Sequence, residues 1–332
     1  MSLLEIKNLQ LEFGPVANPF RAIDHVSLSL AAGETLCLVG ESGSGKTVTA
    51  LSIARLLPTP PARYAGGEIL LEGRDVLQMS AAALREIRGG LVSYVFQEPG
   101  ASLNPVFRIG TQIKEALKLH RRSEATDDEV QRLLKLVGIP APESRCKNYP
   151  HEMSGGMQQR VMIAMALAPK PKLLVADEPT TALDVTIQAQ IIELLRDLKC
   201  QFGMSILLIT HNLGIVGEIA DHVAVMYAGQ IVELGPARDL LKRPLHPYTR
   251  ALIASVPKLG GNAEKLMAIP GNVPRLGEFP SGCRFAPRCS IARPECSEKN
   301  PALLEVESGR WVRCPFWKEG VESAASAARS PS

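Results

Sequence analysis

The sequence predicts an α/β fold with a mainly parallel sheet, followed by a small cysteine-containing C-terminal domain. Three observations predict it. Strand and helix patterns alternate as far as Gly235, and a glycine-rich loop joins one apolar strand to one helix. After Gly235 the texture changes: prolines become frequent and strand runs disappear. A chain of 332 residues is comfortable for one large domain plus a small one.

The elements follow in order. Residues 4–13, LEIKNLQLEF, alternate apolar and polar like a half-buried strand. After a loop with Pro15 and Pro19, AIDHVSLSL reads as a second strand, with a turn at Gly33. TLCLVG is a short apolar strand, and GESGSGKTVTALSIARLL is a loop opening into a helix that Pro58 to Pro61 end. GEILLEG is a strand, SAAALREIRG a short helix, and LVSYVFQEP a strand running into a polar loop. Residues 110–137 show helical periodicity around RRSEATDDEV, which reads as a solvated helix connection. SGGMQQRVMIAMALA opens a helix after two glycines, and KLLVADEPT is a strand ending in acids. VTIQAQIIELLRDLKCQFG is a helix with a glycine stop, SILLITHN a strand, and ADHVAVMYAGQIVELG a terminal hairpin. The domain boundary falls near 235–250. Residues 1–240 then form the large domain, 241–320 the small one, and the polar end 321–332 reads as disordered.

Hydrophobic residues make up 45%, an ordinary share for a soluble globular protein. The net charge of +3 is close to balance, unlike the strongly basic profile of a nucleic-acid binder. No apolar run approaches the roughly 18 residues of a membrane span. The start, MSLLEIKNLQLEF, lacks the basic head and apolar stretch of a secretory signal. The expectation is a cytosolic protein, or one held at a membrane through partners. Of seven cysteines, Cys37, Cys146 and Cys200 are scattered and read as small buried hydrophobes. Cys283, Cys289, Cys296 and Cys314 are clustered, which in a cytosolic protein favours a metal site over disulfides.

Gly40, Glu41, Ser42, Gly43, Ser44, Gly45, Lys46 and Thr47 spell GESGSGKT, a match to G-x-x-x-x-G-K-[ST] between strand and helix. The glycines let backbone N–H groups surround an anion, and the helix N-terminus adds a favourable dipole. Lys46 reaches the β- and γ-phosphates of a nucleotide, and the Thr47 hydroxyl coordinates Mg²⁺. In LLVADEPT an apolar strand carries Asp177 to its C-terminal edge, where active sites of parallel sheets lie. Asp177 is the expected second Mg²⁺ holder, through water, and Glu178 the general base that polarises the attacking water.

SGGMQQR, Ser154 to Arg160, precedes those acids. Together with the phosphate loop and DEPTTALD, it makes the chain from residue 4 to about 235 resemble the ATP-binding cassette (ABC) ATPases. The resemblance implies a P-loop NTPase core of the RecA-like kind, with a helical subdomain at about 100–165. The family signature is usually LSGGQ, whereas this chain has MSGGM. Met157 in place of glutamine is similar to the variant of the peptide-importer branch. The resemblance further implies that Gln97 in VFQEP is the Q-loop glutamine, which senses Mg²⁺ and faces the membrane partner. Thr181 to Asp184 are the D-loop, and His211 in LLITHN is the switch histidine at the γ-phosphate. Asn212 stands where aspartate is common, with little expected consequence. An aromatic near the start stacks on adenine: Phe13 fits by position, with Phe20 as runner-up. Two cassettes of this family sandwich two ATPs. Ser154, Gly155, Gly156, Met157 and Gln158 of one chain, with its Asp184, complete the site of the other. One phosphate loop and one signature therefore imply a partner cassette, identical or paralogous.

ASLNPVFRIGTQIKEAL, PLHPYTRALIASVP and GCRFAPRCSIARPEC together resemble the oligopeptide/dipeptide/nickel importer ATPases. That resemblance implies an ATPase peripheral to the cytoplasmic face of the bacterial inner membrane. Its implied partners are two permeases, a second ATPase and, indirectly, an external binding protein, with no nucleic acid. The cysteine spacing, C-x5-C-x6-C-x17-C, is looser than that of most zinc fingers and can suit four thiolates on a cubane cluster. Phe285, Pro287, Pro315 and Phe316 supply an apolar shell. The resemblance implies a [4Fe–4S] cluster, with zinc as the alternative, most simply as a structural staple. The competing readings are a soluble ABC ATPase acting on nucleic acid or ribosomes, and an exporter cassette. Exporter cassettes are commonly fused to membrane spans.

Overall fold

The computed structural model describes residues 2–15, 17–181, 183–255 and 269–319. The expected disordered end at 321–332 lies outside the described residues. In chain order the strands are β1 (Ser2–Phe13), β2 (Phe20–Ala31), β3 (Thr35–Val39), β4 (Arg63–Leu71), β5 (Arg74–Asp75), β6 (Val92–Val95), β7 (Leu173–Asp177), β8 (Ser205–Thr210), β9 (His222–Tyr227), β10 (Gln230–Pro236), β11 (Leu304–Glu307) and β12 (Arg310–Val312). The α-helices are α1 (Lys46–Ser52), α2 (Ala81–Ile87), α3 (Pro99–Ser102), α4 (Ile109–His120), α5 (Asp127–Leu136), α6 (Pro142–Arg145), α7 (Gly155–Leu167), α8 (Val185–Phe202), α9 (Leu213–Ile219), α10 (Ala237–Lys242), α11 (Pro247–Ala254) and α12 (Glu295–Glu298). The chain divides into two units. One comprises 30–34 and 75–209 with the chain's first residues; the other comprises 4–29, 35–74 and the chain from 210 onward.

In the first unit β8, β7 and β6 are neighbours and parallel. The five residues of β7, LLVAD, are all buried, as expected of a strand covered on both faces. Helix α7 buries Val161, Met162, Ile163 and Ala164, four successive positions, and packs against α4, α5 and β6. Thr126 caps α5 by accepting from the Glu129 N–H, and Asp127, Asp128 and Glu129 place negative charge at that helix start. The RRSEATDDEV stretch is more than a solvated connection. The Arg121 side chain is only 9% exposed, donates to Glu124 and to the Ala168 carbonyl, and pairs with Glu129. A charge run can be an ion-paired joint where one arginine is covered by the next helix.

In the second unit β1 and β4 pair antiparallel in a sheet of order β2-β1-β4-β5. Beside it run β11-β12-β10-β9-β3, with β3 and β9 parallel and the others antiparallel. The tail therefore contains strands after all. LEVE and RWV form a hairpin across the Gly309 turn, where φ is +69°, and β12 pairs with β10. These runs are too short and too rich in glutamate to carry a clear alternation, so the expectation that strands end after Gly235 fails. The scattered cysteines also divide: Cys37 is buried, Cys146 half-buried and Cys200 exposed.

One buried ion pair holds this joint. Glu233 of β10 is fully buried and accepts from the Leu245 and His246 N–H groups, both at 2.8 Å. Arg310 of β12, 4% exposed, donates to Glu233 at 3.2 Å. Removing one member of a buried pair leaves the other charge uncompensated, at a cost of about 3–5 kcal/mol. Arg310→Leu is expected to lower unfolding stability by about that amount, read as a reduced denaturation midpoint. An unchanged midpoint would mean that the pair contributes nothing.

Candidate active site and cysteine cavity

The phosphate loop folds as a cradle. Gly40, Gly43 and Gly45 have φ of +152°, +77° and +104°, angles that side chains disfavour. A β-carbon on Gly40 would stand 2.2 Å from the Met226 carbonyl oxygen. The Lys46 ammonium is inside the loop, donating to the Gly40 and Glu41 carbonyls at 2.8 and 2.9 Å. Among the described residues, the buried Ser44 hydroxyl has no hydrogen-bond partner, so the fold supplies a polar atom suited to a ligand oxygen. Ser42, Gly43 and Thr47 are exposed, with Thr47 in the first turn of α1. His211 is exposed, immediately after β8. Asn212 caps α9 by accepting from the Gly214 N–H at 2.9 Å, which explains why asparagine serves there. Phe13 is half-buried at the end of β1. Phe20 lies against the tail, since a β-carbon on Gly277 would meet its ring at 2.7 Å.

The acids belong to the first unit. Asp177 ends β7 and is 7% exposed. Glu178 follows at φ +46°, a left-handed conformation costly for a non-glycine residue, and its N–H donates to the Ile209 carbonyl. The Glu178 carboxylate accepts from the Gln97 amide at 3.2 Å and from the Thr181 hydroxyl at 2.8 Å. The structure brings Gln97 and Thr181 together on the Glu178 carboxylate, contacts that the sequence reading did not specify.

The signature begins helix α7. Ser154 is its N-cap, exposed, and accepts from the Met157 N–H at 3.4 Å. A hydroxyl that accepts keeps its hydrogen available to donate. Gly155 is exposed, and a β-carbon on Gly156 would press on Ile187 at 3.0 Å. The Gln158 side chain is turned to the Pro150 and Met153 carbonyls, at 2.8 and 3.2 Å, and braces the loop before the signature. Asp184 caps α8 by accepting from the Ile187 N–H at 2.9 Å.

Cys283, Cys289, Cys296 and Cys314 line one cavity of about 50 Å³, with Phe285, Pro315 and Phe316 in its wall. Among the described residues, no three His, Cys, Asp or Glu side chains converge on a point suited to a single metal ion. Neither the [4Fe–4S] expectation nor the zinc alternative therefore finds a preformed metal group among the described residues. Burial pushes the Cys283 and Cys289 thiols up, and that of Cys314 to about 11. His246 lines the same cavity. Burial, with Arg250 and Arg313 near, drives its pKa down to about 3, and the neutral ring caps α11 by accepting from the Tyr248 N–H. Tyr227, Tyr248 and Phe285 form an aromatic cluster with centroids 4.7 to 5.3 Å apart.

The ABC transporter family matches residues 23–181, and the family described as oligopeptide/dipeptide transporter, C-terminal region, matches residues 232–296. The oligopeptide transport ATP-binding protein AppD of Bacillus subtilis (strain 168) is 50% identical over 321 residues, 96% of this chain and 98% of that protein. The chain belongs to the ABC transporter ATP-binding subunits of the oligopeptide/dipeptide importer family. The dipeptide transport ATP-binding protein DppD of Haemophilus influenzae is 49% identical over 95% of each chain. Among solved structures, the ATP-binding cassette MJ0796, a dimer bound to ADP and Pi, matches 71% of this chain and 99% of that one. Its TM-score is 0.62 at 25% identity. This ABC subunit is an ATPase, and nothing in its relatives favours the nucleic-acid reading. No helix of the described residues is long and apolar enough to cross a membrane.

Overpacking of a tight backbone contact costs about 1–3 kcal/mol. Gly40→Ala in this ABC ATPase is accordingly expected to weaken ATP binding about tenfold or more, read by equilibrium titration. Glu178→Gln is expected to keep ATP binding and slow hydrolysis by about 10²–10⁴-fold in the assembled complex. Wild-type turnover by that variant would remove Glu178 from the role of base.

Proposed function

We propose that this chain hydrolyses ATP to energise import of dipeptides, oligopeptides or a related solute through a pair of membrane permeases. It would act at the cytoplasmic face of the membrane, beside a second ATPase and supplied indirectly by an external binding protein. The observation that carries this reading is that likeness to peptide-importer subunits runs through cassette and tail alike, over 96% of the chain. The phosphate-loop N–H groups and Lys46 take the phosphate charge, and Phe13 stacks on adenine. Thr47, Asp177 and Gln97 would hold Mg²⁺, which would supply Lewis-acid stabilisation of the phosphates. Glu178 takes a proton from the attacking water, and His211 contacts the γ-phosphate. Ser154, Gly155 and Gly156 donate to a γ-phosphate held by the partner cassette, with Met157, Gln158 and Asp184 keeping that edge in shape. The two ATP sites then close and open the pair as rigid bodies.

We further propose a [4Fe–4S] cluster on the four cysteines, with zinc as the alternative; the support is that all four line one cavity. Burial pushes three of the thiols up, so thiolates here need a strongly cationic partner. Among the described residues, Arg250 has a buried Nη1 without a hydrogen-bond partner, and Arg313 is 8% exposed in the cavity wall; both suit an anionic cluster-thiolate group. Such a cluster would supply a covalent staple for the proline-rich tail.

Two measurements test these readings. In proteoliposomes containing both permeases and the second ATPase, peptide-loaded binding protein is expected to stimulate ATP hydrolysis. Stimulation by nucleic acid instead would overturn the transport reading. Anaerobically purified protein is expected to hold about four irons and four sulfides per chain, with a visible band that bleaches in air. One zinc and no colour would replace the cluster.

A further inference from the structure

An arginine of the tail grips a side chain of the phosphate loop. Arg288 directly precedes Cys289, in the turn Ala286–Arg288, and its side chain is 5% exposed. Its guanidinium meets the Glu41 carboxylate in a fork: Nη1 to Oε2 at 2.7 Å and Nη2 to Oε1 at 2.9 Å. The fork is braced on its other side. Nε donates to the Pro270 carbonyl at 2.8 Å, and the guanidinium carbon lies 5.7 Å from the centre of the Tyr227 ring. The main chain of Glu41 is held as well, its N–H donating to the Tyr248 hydroxyl at 2.8 Å.

Glu41 is the second residue of a loop whose chemistry is the binding of a polyanion. A carboxylate at that place repels phosphate unless its charge is cancelled and its direction fixed. Arg288 does both, because a forked pair sets orientation as well as charge. We propose that Arg288 is a positioning residue for the ATP reaction, neutralising and aiming Glu41 so that the phosphate loop stays in its anion-binding shape. The tail thereby sets the affinity of the ATP site from a residue that never touches the nucleotide. This rests on the ATPase reading alone, and not on the transported solute or on the metal.

The test uses the assembled transporter with its wild-type partner subunits. Arg288→Gln is expected to raise KM for ATP about tenfold while kcat stays within about twofold, the mark of lost uniform binding. The double variant Glu41→Gln/Arg288→Gln is expected to recover most of that affinity, because the unpaired carboxylate is gone. Arg288→Lys, which keeps the charge without the fork, is expected to fall between and guards against a folding failure of the glutamine variant. A purely structural role would lower kcat and thermal stability together and leave KM in place. That pattern, a wild-type KM in Arg288→Gln, or a double variant as impaired as the single one, would overturn the proposal. Absence of ATP turnover in the wild-type complex would instead sink the ATPase reading.

Discussion

The carbonyl of Met226 and the α-carbon of Gly40 are so close that no side chain fits between them, and the phosphate loop hangs from this contact. A loop of exposed N–H groups has almost no hydrogen bonds of its own to keep its shape, so its form must come from buried neighbours. The hairpin of β9 and β10 supplies the first, with the Gly229 N–H donating to the Ser44 carbonyl at 2.8 Å. Met226 and Tyr227 end β9, so one strand carries both the steric stop under Gly40 and the aromatic ring beside Arg288. Once that strand is fixed against β3, the loop after β3 has a single way to turn.

The acid edge obeys the opposite logic, storing strain where the loop avoids it. Glu178 takes a left-handed backbone at a cost of about 1–3 kcal/mol, offset by the bond from its N–H to Ile209. What the strain provides is direction. A residue continuing the extended path of β7 would alternate back into the buried layer, whereas the left-handed turn carries the carboxylate out to Gln97 and Thr181. Nearby, three side chains that the family resemblance gives to nucleotide contact also do local structural tasks. Ser154 and Asp184 cap helices, and Gln158 braces a loop. A capping oxygen is rotationally fixed by its helix, so the same bond that starts the helix presents the group at its edge.

The reach of sequence reading followed the range of the interactions. Local patterns were legible: the fully buried β7, the Gly203 stop after α8 at φ +62°, and the hairpin of β9 and β10. The phosphate loop was legible because its glycines answer a local steric demand. Missed were features that exist only when distant segments meet. Arg288 and Glu41 are 247 positions apart, and neither residue type signals the other. Arg121 within its charge run was missed because the Ala168 carbonyl it donates to lies 47 positions on, and the LEVE–RWV hairpin because its short, glutamate-rich strands show no alternation until β12 pairs with the distant β10. The HPYT stretch was half legible. Its proline and histidine mark a helix start, but the burial of Tyr248 against Tyr227 and Phe285 is a tertiary fact.

That aromatic cluster bears on what kind of object the tail is. Tyr227 comes from the hairpin, Tyr248 from α11 and Phe285 from the cysteine-bearing turn, so no one segment owns this core. Arg284, next to Cys283, extends the same bond outward: it donates to Asp24 of β2 at 2.6 Å, and Asp24 also accepts from Gln230 at 2.8 Å. Opposing forces act on that carboxylate. Burial raises its pKa, while Arg284, His25 and Gln230 together outweigh burial and keep it below the usual carboxylate range. A tail whose hydrophobic core is shared with Tyr227, and whose sheet partner and arginine anchors lie in the cassette, has little to gain from folding apart from it. The cavity lined by Cys283, Cys289, Cys296 and Cys314 is walled by the tail's own residues, from His246 to Phe316, rather than by the cassette.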